Sequence, residues 1–153
     1  MKIWVDADAC PVAVKDVVVL AAIRRNIEAV FVANAPLPLP NSPYLCFIQV
    51  KKGPDEADLY IKEHVQKFDL VITQDILLAH MLMPTGAVVI NPHGKKYTEE
   101  NIGESVSTRN LMQELRDIGE IKGGQKQFGD KEKRAFAATF DQELTRLLKI
   151  KRS

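Results

Sequence analysis

The sequence predicts an α/β fold of three layers, α/β/α, around a mostly parallel central sheet of about five strands, with extra helices at the carboxy end. Three observations carry that expectation. Runs of β-branched and apolar residues alternate with segments of helical periodicity over residues 2–91. Breaker residues fall between these runs. With 153 residues, 46% of them hydrophobic, the chain is long enough to cover both faces of one sheet. A single domain is expected over 1–150, followed by a basic tail at 151–153.

Lys2 to Val5 is β-branched and aromatic, the first strand. Pro11 suits the first position of a helix, where its missing N–H costs nothing, and that helix runs to about Arg25. Its middle is nearly all apolar, so it is expected to be well buried. Ile27 to Ala33 is the second strand. Asn34 to Pro43 holds four prolines in ten residues, which excludes a helix or a central strand. Tyr44 to Val50 forms the third strand. After Gly53 and Pro54, Asp55 to Lys67 repeats apolar residues with helical spacing at Ala57, Tyr60, Ile61 and Val65. Asp69 to Thr73 is the fourth strand and Asp75 to about Met83 the next helix, which Pro84 and Gly86 end. Ala87 to Ile90 is the fifth strand, and NPHGKKYT reads as a loop. A short helix opens at Thr98, a longer one spans Ser107 to Ile118, and a loop over Gly119 to Gly129 leads to a last helix from Asp130 to about Lys149.

Lys and Arg total 21 against 20 Asp and Glu, which excludes a histone-like protein and an acidic disordered chain. The charge is unevenly spread. Residues 1–121 carry 12 basic and 16 acidic side chains, a balance of −4; residues 122–153 carry 9 and 4, a balance of +5. The basic end is either a solvated amphipathic helix or a positive arm beside an acidic site. No apolar run approaches the ~20 residues of a membrane span, and the amino terminus does not resemble a signal peptide. Two scattered cysteines, Cys10 and Cys46, make neither a disulfide framework nor a zinc site. A cytoplasmic location is the expectation.

Ligands of open α/β sheets bind outside the carboxyl ends of the strands. Asp6 and Asp8 follow the first strand, and share a side if the backbone stays extended. Asp55 and Asp58 follow the third strand, Asp75 the fourth and Asn91 the fifth. Capping is the simpler role for Asp55, Asp58 and Asp75 taken singly. Together, carboxylates converging on one edge repel one another and attract a divalent cation, and an all-oxygen set suits Mg²⁺ or Mn²⁺. No phosphate-binding GxxxxGK loop and no GxSxG elbow is present. Cys10, followed six residues later by Asp16 and not Arg, is expected to be a packed side chain.

The blocks WVDADACPV (Trp4 to Val12), VAN (Val32 to Asn34), GPDEAD (Gly53 to Asp58), DLVITQDILLA (Asp69 to Ala79) and NPHGKKYTEENI (Asn91 to Ile102) resemble the bacterial YaiI/YqxD family. So do RNLMQELRDIG (Arg109 to Gly119) and GGQKQF (Gly123 to Phe128). That family is functionally uncharacterised but is similar to the PIN-like nuclease superfamily. Its members use a strand-end Asp, an acid in a helix and a T-x-D after a later strand. The resemblance implies a PIN-like domain with these roles at Asp6, Asp58 and Asp75, with Thr73 before the last. Asp8 is the family's own second aspartate, and Asn91 takes the fourth acidic position. His93, Leu77 and Gln125 depart from the family pattern, standing where Arg, Pro and Pro are common.

The leading expectation is a divalent-metal-dependent nuclease or phosphodiesterase acting on RNA or single-stranded DNA. Asp6, Asp8, Asp58 and Asp75 are the candidate catalytic residues and, with Asn91, the candidate metal ligands. Thr73, Lys96 and Arg109 are the candidate substrate contacts. A haloacid-dehalogenase-like phosphatase is the alternative, with Asp6 as nucleophile and Asp8 as general acid. A nucleic-acid or protein-binding module without turnover is the third possibility.

Overall fold

The computed structural model describes residues 1–53, 55–103 and 128–152. Six strands form one sheet: β1 (Ile3–Asp6), β2 (Ala29–Ala33), β3 (Leu45–Gln49), β4 (Leu70–Ile72), β5 (Val88–Ile90) and β6 (Lys96–Tyr97). Their order is β3-β2-β1-β4-β5-β6, and all neighbours run parallel except β5 and β6. Helices α1 (Val12–Arg25), α2 (Glu56–His64), α3 (Ile76–Leu82) and α5 (Asp130–Arg152) flank it, and α4 opens over 99–103. The expected three-layer α/β/α arrangement is therefore present.

Alternation along the strands divides the core in two. Ile3, Val5, Phe31, Leu70, Ile72 and Ile90 point to one face, where Val14 and Val18 of α1 meet Phe136, Phe140, Leu144 and Leu147 of α5. Trp4, Val30, Val32, Val71 and Val89 point to the other, against Ile61 of α2, Leu78 and Leu82 of α3, and Ile102. Strands covered on both faces have no need of polar residues, which is why β1, β2, β4 and β5 read as apolar runs. Asp69 is the buried acid just before β4. It accepts hydrogen bonds from Lys2 N, Trp4 Nε1 and Gln66 N, each at 2.9 Å, and so pins β1 to β4 at the end away from the strand carboxyl termini.

Four expectations need correction. The sheet has six strands, because Lys96–Tyr97, inside the expected loop, pairs antiparallel with β5. α1 is not buried all round: Val14, Val18 and Ala22 are buried, while Val12, Leu20 and Ile23 are exposed. α2 ends at His64, since Val65 turns extended and Asp69 captures Gln66 N to start the turn into β4. α5 continues through Arg152, taking in two of the three residues expected as a tail. The helix expected over Ser107 to Ile118, and Arg109 within it, lies outside the described residues. Among the described residues no helix is long and apolar enough to cross a membrane.

Candidate functional site

The chain builds outward from β1 to β2 and β3, then returns to place β4 on the other side of β1. At such a switch the connections leave in opposite directions and open a crevice at the strand carboxyl ends. β1 ends there on Asp6, and β4 is followed there by Thr73 and Asp75. A cavity of ≈ 150 Å³ occupies the spot, lined by Asp6, Asp8, Asp55, Asp58 and Asp75 together with Asn34 and Lys51.

Asp6 is only 8% exposed, and its Oδ2 accepts from Thr73 Oγ1 at 2.9 Å. The same Thr73 oxygen accepts from Asp75 N at 3.0 Å, so one hydroxyl ties the end of β1 to the start of α3. Burial raises the Asp6 pKa, with the Asp75 and Asp8 charges adding to it, against the lowering effect of the Thr73 bond. Asp75 caps α3, its Oδ1 accepting from Leu77 N at 2.9 Å and Leu78 N at 3.2 Å. Asp58, in the first turn of α2, is 7% exposed. Burial, then a side-chain hydrogen bond with Asp75 and the Asp75, Asp6 and Asp55 charges, push its carboxyl up to about 8. The Asp58 and Asp75 carboxyls are thus joined side chain to side chain. Carboxylate oxygens of Asp55, Asp58 and Asp75 lie within 4.8 Å of one another.

The cap roles expected of Asp55 and Asp58 are absent. Asp55 adopts φ +69° and makes no side-chain cap bond, while Asp58 turns inward. Asp75 does both jobs, capping α3 and joining the cluster. Asp6 and Asp8 do not share an extended backbone, because the chain enters a 3-10 turn at Ala7–Ala9. They meet at the cavity by another route: exposed Asp8 accepts from Asn34 N with both oxygens, at 3.0 and 2.9 Å, and is held against the end of β2.

Asn91 and Lys96 are placed elsewhere. The Asn91 amide oxygen accepts from His93 N and Lys95 N, both at 2.9 Å, and so shapes the turn between β5 and β6. Neither Asn91 nor Lys96 lines the cavity. Lys96 Nζ lies 3.0 Å from Glu143 Oε1, and Arg146 Nε donates to the other oxygen of that buried carboxylate at 2.9 Å. Cys10 is buried, and burial pushes its thiol up to about 12, as befits a packed side chain. Asp55 and Lys51 join the cavity although neither was a candidate ligand or substrate contact. Asp55 was legible in the D-x-x-D spacing with Asp58, which puts both on one side of a first helical turn.

The donor set is made of carboxylate oxygens with no nitrogen or sulfur, and this fits a hard divalent cation of the Mg²⁺ or Mn²⁺ kind. Crowding three carboxylates raises the cost of ionising all of them at once, a cost that a proton or a cation relieves.

Relatives of the chain run its full length. A "UPF0178 protein" of Syntrophobacter fumaroxidans is 49% identical over 150 residues, 98% of each chain. Another, of Myxococcus xanthus, is 48% identical over 149 residues, 97% of each. No solved structure matches the chain. The family described as "Uncharacterized BCR, YaiI/YqxD family" matches residues 4–146. The chain thus belongs to the YaiI/YqxD family.

Proposed function

We propose that the cavity is the centre of a PIN-like nuclease or phosphodiesterase that uses Mg²⁺ or Mn²⁺ and acts on RNA or single-stranded DNA. The observation that carries this reading is the geometry around Asp58: a buried carboxyl whose oxygens lie within 4.8 Å of those of Asp55 and Asp75, in a cavity that Asp6 and Asp8 also line. Asp58, Asp75 and Asp55 are the core ligands, with Asp6 and Asp8 completing the acidic wall. A bound divalent ion supplies charge neutralisation at a phosphodiester and lowers the pKa of water in the site. Thr73 is a positioning residue, holding Asp6 and the backbone of Asp75 in register. Lys51, on the cavity wall, contacts the phosphate backbone, with Arg109 a further candidate that lies outside the described residues; Lys96, committed to Glu143, contributes only if that pair opens.

The phosphatase alternative asks Asp8 to give up a proton as general acid. Asp8 is instead committed through both oxygens to the backbone N–H of Asn34, which holds it against the end of β2. Metal binding is a better use of it. Calorimetry with Mn²⁺ and Mg²⁺ on wild type, Asp58→Asn and Asp75→Asn, with single-stranded RNA and DNA cleavage in the same samples, is the test. Asp75→Asn can keep the capping oxygen while losing the charge and exchanging the other oxygen for an amide N–H, so a loss of metal affinity in a variant that stays folded marks a ligand and not only a cap. Failure of wild type to bind either ion at millimolar concentration would refute the proposal. Nucleic-acid binding that persists in EDTA without product would favour a module without turnover.

A further inference from the structure

The outer face of α1 carries exposed Leu20 and Ile23 between two charges, with exposed Val12 at the amino end. Over 14 residues the helix buries Val14, Val18 and Ala22, yet Val12, Leu20 and Ile23 are 69%, 62% and 40% exposed. Asp16 and Arg24 stand four residues before and four after Leu20, so the three lie on one row of the helix surface. Both charges are exposed, and neither has an ion-pair partner among the described residues. They are separated by about 12 Å along the axis, too far to pair with each other.

We propose that this face is a self-association surface, and that its occupant is α1 of a second copy of the chain, packed antiparallel about a two-fold axis at Leu20. An isologous contact must complement itself, and this row does. The axis sets Leu20 against its own copy and brings Asp16 opposite Arg24 of the partner subunit, twice. The apolar centre is covered and both charges gain partners. The antiparallel arrangement also opposes the two helix dipoles, setting each amino end beside a carboxyl end. A helix of this length is only about 21 Å long, so the contact falls short of the ~1,600 Å² of a standard interface. The dimer is therefore expected to dissociate on dilution.

Sedimentation equilibrium of the full chain from about 1 to 200 µM tests this, with circular dichroism as the check that each variant is folded. Wild type is expected to pass from monomer to dimer over that range, and Leu20→Glu to remain monomeric. Asp16→Arg and Arg24→Asp are each expected to weaken the dimer about tenfold. The double variant Asp16→Arg/Arg24→Asp restores it, because the reversed charges again face each other. A wild type that stays monomeric throughout overturns the proposal, as does a folded Leu20→Glu that dimerises normally. A double variant no tighter than either single one overturns the antiparallel register.

Discussion

Asp58→Asn is the most informative substitution, because the buried carboxyl makes stability depend on pH in an unusual direction. In the metal-free protein, burial and the neighbouring Asp75 push Asp58 up to about 8, whereas an unfolded aspartate titrates near about 3.9. Between those values the folded state holds a proton that the unfolded state has lost. The contribution of Asp58 is then fully present below the unfolded value and is lost as pH rises through about 8. One such proton gives a slope of about 1.4 kcal/mol per pH unit. Asn mimics the protonated acid and does not titrate. Urea denaturation in EDTA from about pH 5 to 9 should show the variant gaining on wild type by up to that slope, with the gain levelling off above about pH 8. Asp6, whose pKa is also raised, titrates in both proteins and falls out of the difference to first order. Saturating Mn²⁺ should restore wild type at high pH and leave the variant unmoved. A stability difference that stays constant across this pH range would refute the buried, protonated Asp58.

Asp69→Ala strands three N–H donors, among them the indole of the sole tryptophan. A loss of about 3 kcal/mol in urea denaturation is expected, with a red shift of Trp4 emission. Gly94 has φ +90° and a Cβ there would lie 2.6 Å from the carbonyl oxygen of Ala135. Gly94→Ala should cost about 2–3 kcal/mol, while Gly103→Ala, with nothing within 4 Å of its Cβ, should not destabilise by thermal melting. Burial raises the Glu143 pKa, but hydrogen bonds from Lys96 and Arg146 outweigh it and leave the value lowered. Its contribution is present above the unfolded carboxylate value and lost as pH falls through the folded one. Glu143→Gln should therefore cost about 1–2 kcal/mol at neutral pH, a gap that closes on acid titration.

The layers and the acidic edge were legible because both follow from topology. Buried parallel strands announce themselves as apolar runs, and acids placed just after them must share an edge. Side-chain commitments were harder to read. β6 has two residues, Lys96 and Tyr97, too few to show a period of two. Asp69 acts through Lys2 and Trp4, more than 60 positions away, and nothing local marks it. Asn91 does sit at the end of β5, but NPHG is a turn sequence in which Asn binds its own backbone, so its amide is spent before any ligand arrives. Asp55 is separated from a cap role by its left-handed backbone, a conformation the residue type allows but does not require.

One half of the core depends on α5. Phe136, Phe140, Leu144 and Leu147 of α5 cover the same sheet face as Ile3, Phe31, Leu70 and Ile90. On a ribosome adding about 5–20 residues per second, the roughly 60 residues between β5 and the last of these take several seconds to appear. During that interval the nascent sheet has α1 for one face but lacks the helix that completes the layer. The acidic cavity, built entirely from residues 6–75, can assemble its parts before the scaffold beneath it is closed. Native stability therefore waits for α5, and the exposed apolar strands of that interval are where aggregation and chaperone binding would compete with folding.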